Sequence, residues 1–278
     1  MSEPAAFSSC GAEGKELLLS VSGLSISFLN GVEEAEVVRD VSFQLSFGQT
    51  LVLAGESGSG KTVTALSLCG LLPQKALIRS GSVLFRGSEL VGLSNSRLRE
   101  VRGSQIAYIF QEPVSFLNPV YTIGEQIAEV IRWHRRSGGQ AAWKESLDLL
   151  AMSGIADPSR VAASYPHQLS GGMNQRALIA MALACHPKIL VADEPTTSLD
   201  ITTEAEIIRL LVRLKKELGF SLLFITHNFA IAQRIADRVA VMYQGRIVEQ
   251  GTKQEVFTAP KHAHTRELLA AYAKVGRF

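Results

Sequence analysis

Gly55-Glu56-Ser57-Gly58-Ser59-Gly60-Lys61-Thr62 matches the pattern G-x-x-x-x-G-K-[ST], and the rest of the chain is best read outward from it. The stretch follows Thr50 to Ala54, a short and nearly all-apolar run of the kind found in strands buried on both faces. It opens a helical pattern from about Lys61 to Leu72. That strand–turn–helix context turns the pattern into a site. Glycines let the backbone curl until successive N–H groups face one anion, and the helix N-terminus adds its partial positive charge. Lys61 supplies a full charge to the β- and γ-phosphates of a nucleotide, and the Thr62 hydroxyl can ligate Mg²⁺.

Further strands are expected on either side. Leu17 to Phe28 and Val37 to Phe47 alternate apolar and polar residues and read as antiparallel strands joined across Asn30-Gly31. Ile106 to Phe110, Ile189 to Ala192 and Leu222 to Thr226 are buried-strand candidates with helical patterns between them. Strands alternating with helices imply a mostly parallel sheet covered on both faces, an α/β fold. Pro113 to Leu169 carries helical patterns at Ile123 to Arg135 and Gln140 to Met152, and no strand pattern. It is expected to be an all-helical insert. His262 to Phe278 looks like one amphipathic helix. Residues 1–14, small and polar, are expected to be a flexible lead, and 15–278 a single domain.

Composition narrows the functional classes. The 278 residues are 46% hydrophobic and 19% charged, which excludes a disordered chain. Lys and Arg number 28 against 26 Asp and Glu, so a net +2 gives no global field for gripping nucleic acid. No apolar run approaches the roughly 20 residues that span a bilayer. The lead lacks a basic start and an apolar centre, so a signal peptide is not expected. Cys10, Cys69 and Cys185 are scattered and odd in number, which suits a reducing cytosol better than disulfides or zinc.

A second element selects among nucleotide chemistries. Ile189 to Glu194 is a buried strand ending in two carboxylates. Asp193 can hold Mg²⁺ directly or through water, and Glu194, one step further, can orient or activate a water at the γ-phosphate. A guanine-reading Asn-Lys-x-Asp is absent from the sequence. A third element, Leu169-Ser170-Gly171-Gly172-Met173, precedes the helical run Gln175 to Cys185. Ser170 is a good N-cap, and two glycines free the first backbone N–H groups. This is either an ordinary capped helix or a second phosphate-binding end. One chain holds one cradle, so the second use implies a pair of chains.

Gly55 to Thr62, Gln111, Leu169 to Met173, Ile189 to Glu194, Ser198-Leu199-Asp200 and His227 stand in the order of the ATP-binding cassette family. The resemblance spans roughly Leu17 to Gly251. It implies a phosphate-loop NTPase core with an N-terminal antiparallel β-subdomain and a helical subdomain at about 113–169. It also implies that two such domains sandwich two ATP molecules head to tail. By the same resemblance, Ser170 and Gly172 contact the partner's γ-phosphate, and Gly171 between them belongs to the same nucleotide-binding set. Gln111 reaches Mg²⁺ and the attacking water, and Asp200 lies in the loop crossing to the opposite site. His227 contacts the γ-phosphate, and Phe28 stacks on adenine. Gly55, Ser57, Gly58, Ser59, Gly60, Lys61 and Thr62 hold the phosphates. Two positions depart from the family: Asn228 follows the histidine where Asp is common, and Asn174 follows the signature where Arg is frequent.

Within the family, Phe110-Gln111-Glu112-Pro113, Leu117-Asn118-Pro119, Ile123-Gly124-Glu125-Gln126, Tyr165-Pro166-His167-Gln168 and Pro260-Lys261-His262-Ala263-His264-Thr265 are similar to the oligopeptide, dipeptide and nickel importer branch. Phe116 stands where that branch often has a small residue. The resemblance implies a peripheral ATPase on the cytoplasmic face of the inner membrane. Its partners would be a related, non-identical ATPase, two permeases and, indirectly, an extracytoplasmic solute-binding protein, with no nucleic acid. Phe116, Leu117, Val120 and Tyr121 would offer apolar surface to the permeases. ATP and Mg²⁺ are the expected ligands. No cysteine follows Cys185, so no iron–sulfur centre is expected. A soluble cassette ATPase acting on nucleic acid or ribosomes, and an exporter cassette, are the alternatives.

Overall fold

A computed structural model of the chain describes residues 16–274 apart from Val32 and Ser198, so the expected lead at 1–14 and the last four residues lie outside the description. In chain order the elements are β1 (Leu17–Asn30), β2 (Glu33–Ser46), β3 (Thr50–Ala54), α1 (Lys61–Leu68), β4 (Ala76–Phe85), β5 (Ser88–Glu89), α2 (Asn95–Val101) and β6 (Ile106–Ile109). Then come α3 (Pro113–Phe116), α4 (Ile123–Arg135), α5 (Gly139–Met152), α6 (Pro158–Ala162), a 3-10 turn at Pro166–Gln168, α7 (Gly171–Leu183), β7 (Ile189–Asp193) and α8 (Ile201–Leu218). The chain closes with β8 (Ser221–Thr226), α9 (Phe229–Ile235), β9 (Arg238–Tyr243), β10 (Arg246–Thr252), α10 (Lys253–Thr258) and α11 (Ala263–Lys274). Contacts divide the chain into two compact units. One is built from residues up to Leu98 and from Ile225 onward, the other from Arg99–Phe224.

The first unit holds an antiparallel sheet of order β2-β1-β4-β5 and the strands β10-β9-β3. Leu19, Val21, Leu24 and Ile26 of β1 and Val38, Val41, Phe43 and Leu45 of β2 fill its interior. All five residues of β3 are buried, and it runs parallel to β9. The Asp237 carboxylate accepts from the Thr50 N–H at 2.7 Å and fixes where β3 begins.

The helix after the phosphate loop is shorter than the sequence pattern suggests. It stops at Leu68 instead of about Leu72. Gly70 adopts φ +60°, its N–H bonds Ser67 O, and the Leu71 N–H bonds Leu66 O. This double C-terminal closure overrides the apolar residues that follow. Strands β4, β9 and β10 carry no expectation from the sequence. The Arg79-Ser80-Gly81-Ser82 centre of β4 reads as a turn, yet β1 pairs with it along most of its length.

In the second unit β6 and β7 are parallel, in the order β8-β7-β6. Residues 113–169 carry α3 to α6 and the 3-10 turn, with no strand among the described residues. Thr122 and Glu125 close a capping box that starts α4 where the sequence places it. A Cβ at Gly124 would lie 2.6 Å from the Trp143 ring and 2.9 Å from the Ala162 Cβ, so α4 approaches α5 and α6 through that glycine. Gly124→Ala is therefore expected to lower stability by about 1–3 kcal/mol through overpacking, read as a fall in Tm.

Candidate functional site

The phosphate loop belongs to the first unit, and its shape is fixed by close approach. Gly55 has φ +153°, and a Cβ there would sit 2.1 Å from Met242 O. Gly60 has φ +102°, and a Cβ would meet Val37 O at 2.9 Å. Neither position admits a side chain. Gly60 is also the N-cap of α1 and offers no side-chain acceptor, so capping of the first turn falls to other groups. Lys61 is only 4% exposed. Its ammonium donates to Gly55 O at 2.9 Å, Glu56 O at 2.7 Å and Ser59 Oγ at 3.3 Å. The loop is thereby wrapped around a cation. Glu56, Ser57, Gly58 and Thr62 are exposed, while Ser59 is buried.

Phe28 is half-buried in β1, flanked across the ladder by Ala35 and Ala76. His227 follows β8 and is exposed. Its backbone carbonyl accepts a hydrogen bond from the Tyr272 hydroxyl of α11. Asn228, one of the two departures, is the N-cap of α9, with Oδ1 accepting from the Ala230 and Ile231 N–H groups at 3.1 and 3.4 Å. Asn caps as well as Asp does, so the departure leaves this local job intact.

The second unit carries the carboxylates. Asp193 ends β7 and is 3% exposed, and its Oδ2 accepts from the Tyr108 hydroxyl at 2.7 Å. Glu194 has φ +43°, a left-handed conformation that is strained for a residue with a Cβ. The strain turns the chain sharply at the strand end. Glu194 Oε2 accepts from Thr197 Oγ1 at 3.2 Å and, at a long 3.4 Å, from Gln111 Nε2. Gln111 and Glu194 are thus brought together.

The glycine pair of the signature starts α7. Ser170 caps it, accepting from the Met173 N–H at 3.3 Å. Gly172 has a packing reason of its own, because a Cβ there would lie 2.8 Å from Thr203 Cγ2 of α8. Asp200 caps α8 through the Thr202 and Thr203 N–H groups, both at 3.0 Å, and the Thr203 hydroxyl at 2.7 Å. Those donors, the Thr203 N–H first, hold its carboxyl below the usual range. Asn174 is buried, donating to Pro166 O at 2.9 Å. Ser198 lies outside the described residues.

Of the apolar docking set, Phe116, Val120 and Tyr121 are exposed, but Leu117 is buried and is not available to a partner. Tyr108 and Tyr272 were not legible as site residues. The only signal for Tyr108 was a polar-tipped aromatic inside an otherwise apolar strand. Among the described residues no group of three or more His, Cys, Asp or Glu side chains could hold a metal ion.

The chain is similar to proteins already known. The chain is 48% identical over 265 residues to a glutathione import ATP-binding protein, GsiA, of Salmonella choleraesuis (strain SC-B67), covering 93% of this chain and 42% of that protein. It is 50% identical over 258 residues to the peptidoglycan transport ATP-binding protein YejF of Agrobacterium fabrum (strain C58 / ATCC 33970), covering 92% and 47%. The chain thus spans about half the length of the curated relatives it matches. Among solved structures it resembles the dimeric ATP-binding cassette MJ0796 bound to ADP and Pi, with TM-score 0.76 and 27% identity over 85% of this chain and 99% of that one. It also resembles cbiO1 from Clostridium perfringens, with TM-score 0.73 and 26% identity over 94% and 97%. Residues 38–197 match the ABC transporter family, and the chain belongs to it.

Proposed function

We propose that this chain hydrolyses ATP as a motor subunit of a membrane importer for di- or oligopeptides or a similar small solute. The observation that carries the reading is the loop at Gly55 to Thr62, whose Gly55 and Gly60 admit no Cβ and whose Lys61 is wrapped by the loop's own carbonyls. The import and transport names of the relatives support the choice of solute class.

Each residue then has a task. Lys61 and the first amides of α1 bind the β- and γ-phosphates, and Phe28 gives adenine a ring to stack on. Glu194, held by Thr197 and Gln111, orients the attacking water and draws its proton. His227 contacts the γ-phosphate from the end of β8. Ser170, Gly171 and Gly172 serve the nucleotide of a second, related ATPase, and Asp200 caps the helix beside them. Mg²⁺ suits the hard-oxygen donors Thr62, Gln111 and Asp193, and when bound it neutralises phosphate charge. Closure of two such subunits on ATP and their opening after hydrolysis would move two permeases, fed by an extracytoplasmic binding protein. Among the described residues no helix is long and apolar enough to cross a membrane, which fits a subunit docked at the cytoplasmic face.

The test is gentle solubilisation of native membranes and capture of the tagged chain, with mass spectrometry of what accompanies it. Two permeases and a second cassette are expected. Ribosomal or DNA-repair partners without any membrane protein would overturn the transport role.

A further inference from the structure

Tyr108 and Phe110 alternate along the β6 segment, so both rings lie on one side of it. Their centroids are 4.5 Å apart. Phe110 stacks in turn on Phe116 at 3.7 Å and 7° between ring planes. Phe116 ends the short α3 and is 47% exposed. At the other end of this ladder the Tyr108 hydroxyl donates to Asp193 Oδ2 at 2.7 Å. Tyr108 pairs with Val191 across the parallel ladder, so its hydroxyl reaches two residues further along β7 to meet that carboxylate.

We propose that Tyr108 is a positioning residue for the Asp193 carboxylate, and that the ladder Tyr108–Phe110–Phe116 ties this carboxylate to the exposed face at Phe116. The inference rests on the nucleotide reading above. An Asp side chain that must meet a cation or its bound water gains from being held in one rotamer beforehand. A rigid aromatic ring whose hydroxyl donates to the carboxylate does this. The ring itself is set by Phe110, and Phe110 is set by a parallel stack with a residue that solvent or a partner can touch. Pressure on Phe116 is thereby transmitted by packed rings to the metal-binding oxygen atoms.

The test measures binding of ribose-labelled fluorescent ATP to the purified full chain, in EDTA and across a Mg²⁺ titration. Wild type, Tyr108→Phe, Phe116→Ala and the double variant are compared, with thermal melts alongside. Tyr108→Phe is expected to raise the Mg²⁺ concentration for half-saturation about fivefold, the factor matching one net hydrogen bond, and to leave affinity in EDTA unchanged. Phe116→Ala is expected to move it the same way by a smaller factor. The double variant is expected to match Tyr108→Phe alone, because both changes act through one hydroxyl.

An unchanged Mg²⁺ dependence in Tyr108→Phe, even with a lowered Tm, would reduce Tyr108 to a packing residue and overturn the proposal. Strictly additive effects in the double variant would remove Phe116 from the path. Wild-type protein that binds no labelled ATP would overturn the nucleotide reading itself, a result distinct from both.

Discussion

Glu194→Gln protein is expected to release phosphate from ATP roughly 10²–10⁴-fold more slowly than wild type, the usual contribution of a positioned base. Nucleotide binding is expected to survive. Gln keeps the shape of Glu, and its amide oxygen can still accept from Thr197 Oγ1 and Gln111 Nε2, so the local hydrogen bonds persist. What disappears is the negative charge that draws a proton from water. Binding without turnover should trap the closed pair, so light scattering of the variant together with its partner ATPase in the presence of ATP should show a complex that wild type forms only transiently. Undiminished phosphate release would remove Glu194 from the role of base.

Lys61→Ala is expected to act earlier, on binding itself. The substitution removes the full positive charge held among loop carbonyls, and charge-assisted hydrogen bonds contribute about 1.5–3 kcal/mol each. ATP affinity should therefore fall by roughly 10²-fold or more. It also strips the donor from Gly55 O and Glu56 O, so the nucleotide-free protein should melt somewhat lower. The two effects are separable by thermal shift. ATP at a hundred times its Kd should stabilise wild type by about 2.7 kcal/mol and the variant by far less. Equal ATP-induced shifts in the two proteins would contradict the phosphate-loop assignment.

Both experiments address residues that the sequence alone brought forward, and the reason is local. A phosphate cradle needs glycine where the backbone folds on itself, a lysine at the helix start and a strand just before. All of this lies within thirteen consecutive residues, Thr50 to Thr62. The strand that ends in Asp193, with Glu194 just past it, is just as local, since a fully buried strand leaves a continuous apolar run. Caps are local as well. Ser170 and Thr122 start α7 and α4 where their types and spacings place them.

What the tertiary structure decided depends on distant partners. β4 has a polar centre and exists because β1 pairs with it. β9 and β10 meet at Gln244-Gly245, a weak turn signal, and β9 is held by β3 on its other side. The clashes that forbid a side chain at Gly55 and Gly172 come from Met242 and Thr203, far along the chain from the first and thirty-one residues from the second. Leu117 is buried although its neighbours Phe116 and Val120 are exposed, a difference that no pattern of apolar residues contains. The hydrogen bond from Tyr108 to Asp193 spans 85 positions and that from Tyr272 to His227 spans 45. Sequence determines chemistry that neighbouring residues carry together. Which side chain orients another across the fold is set only when strands find their register, because pairing and packing join residues that the chain itself keeps apart.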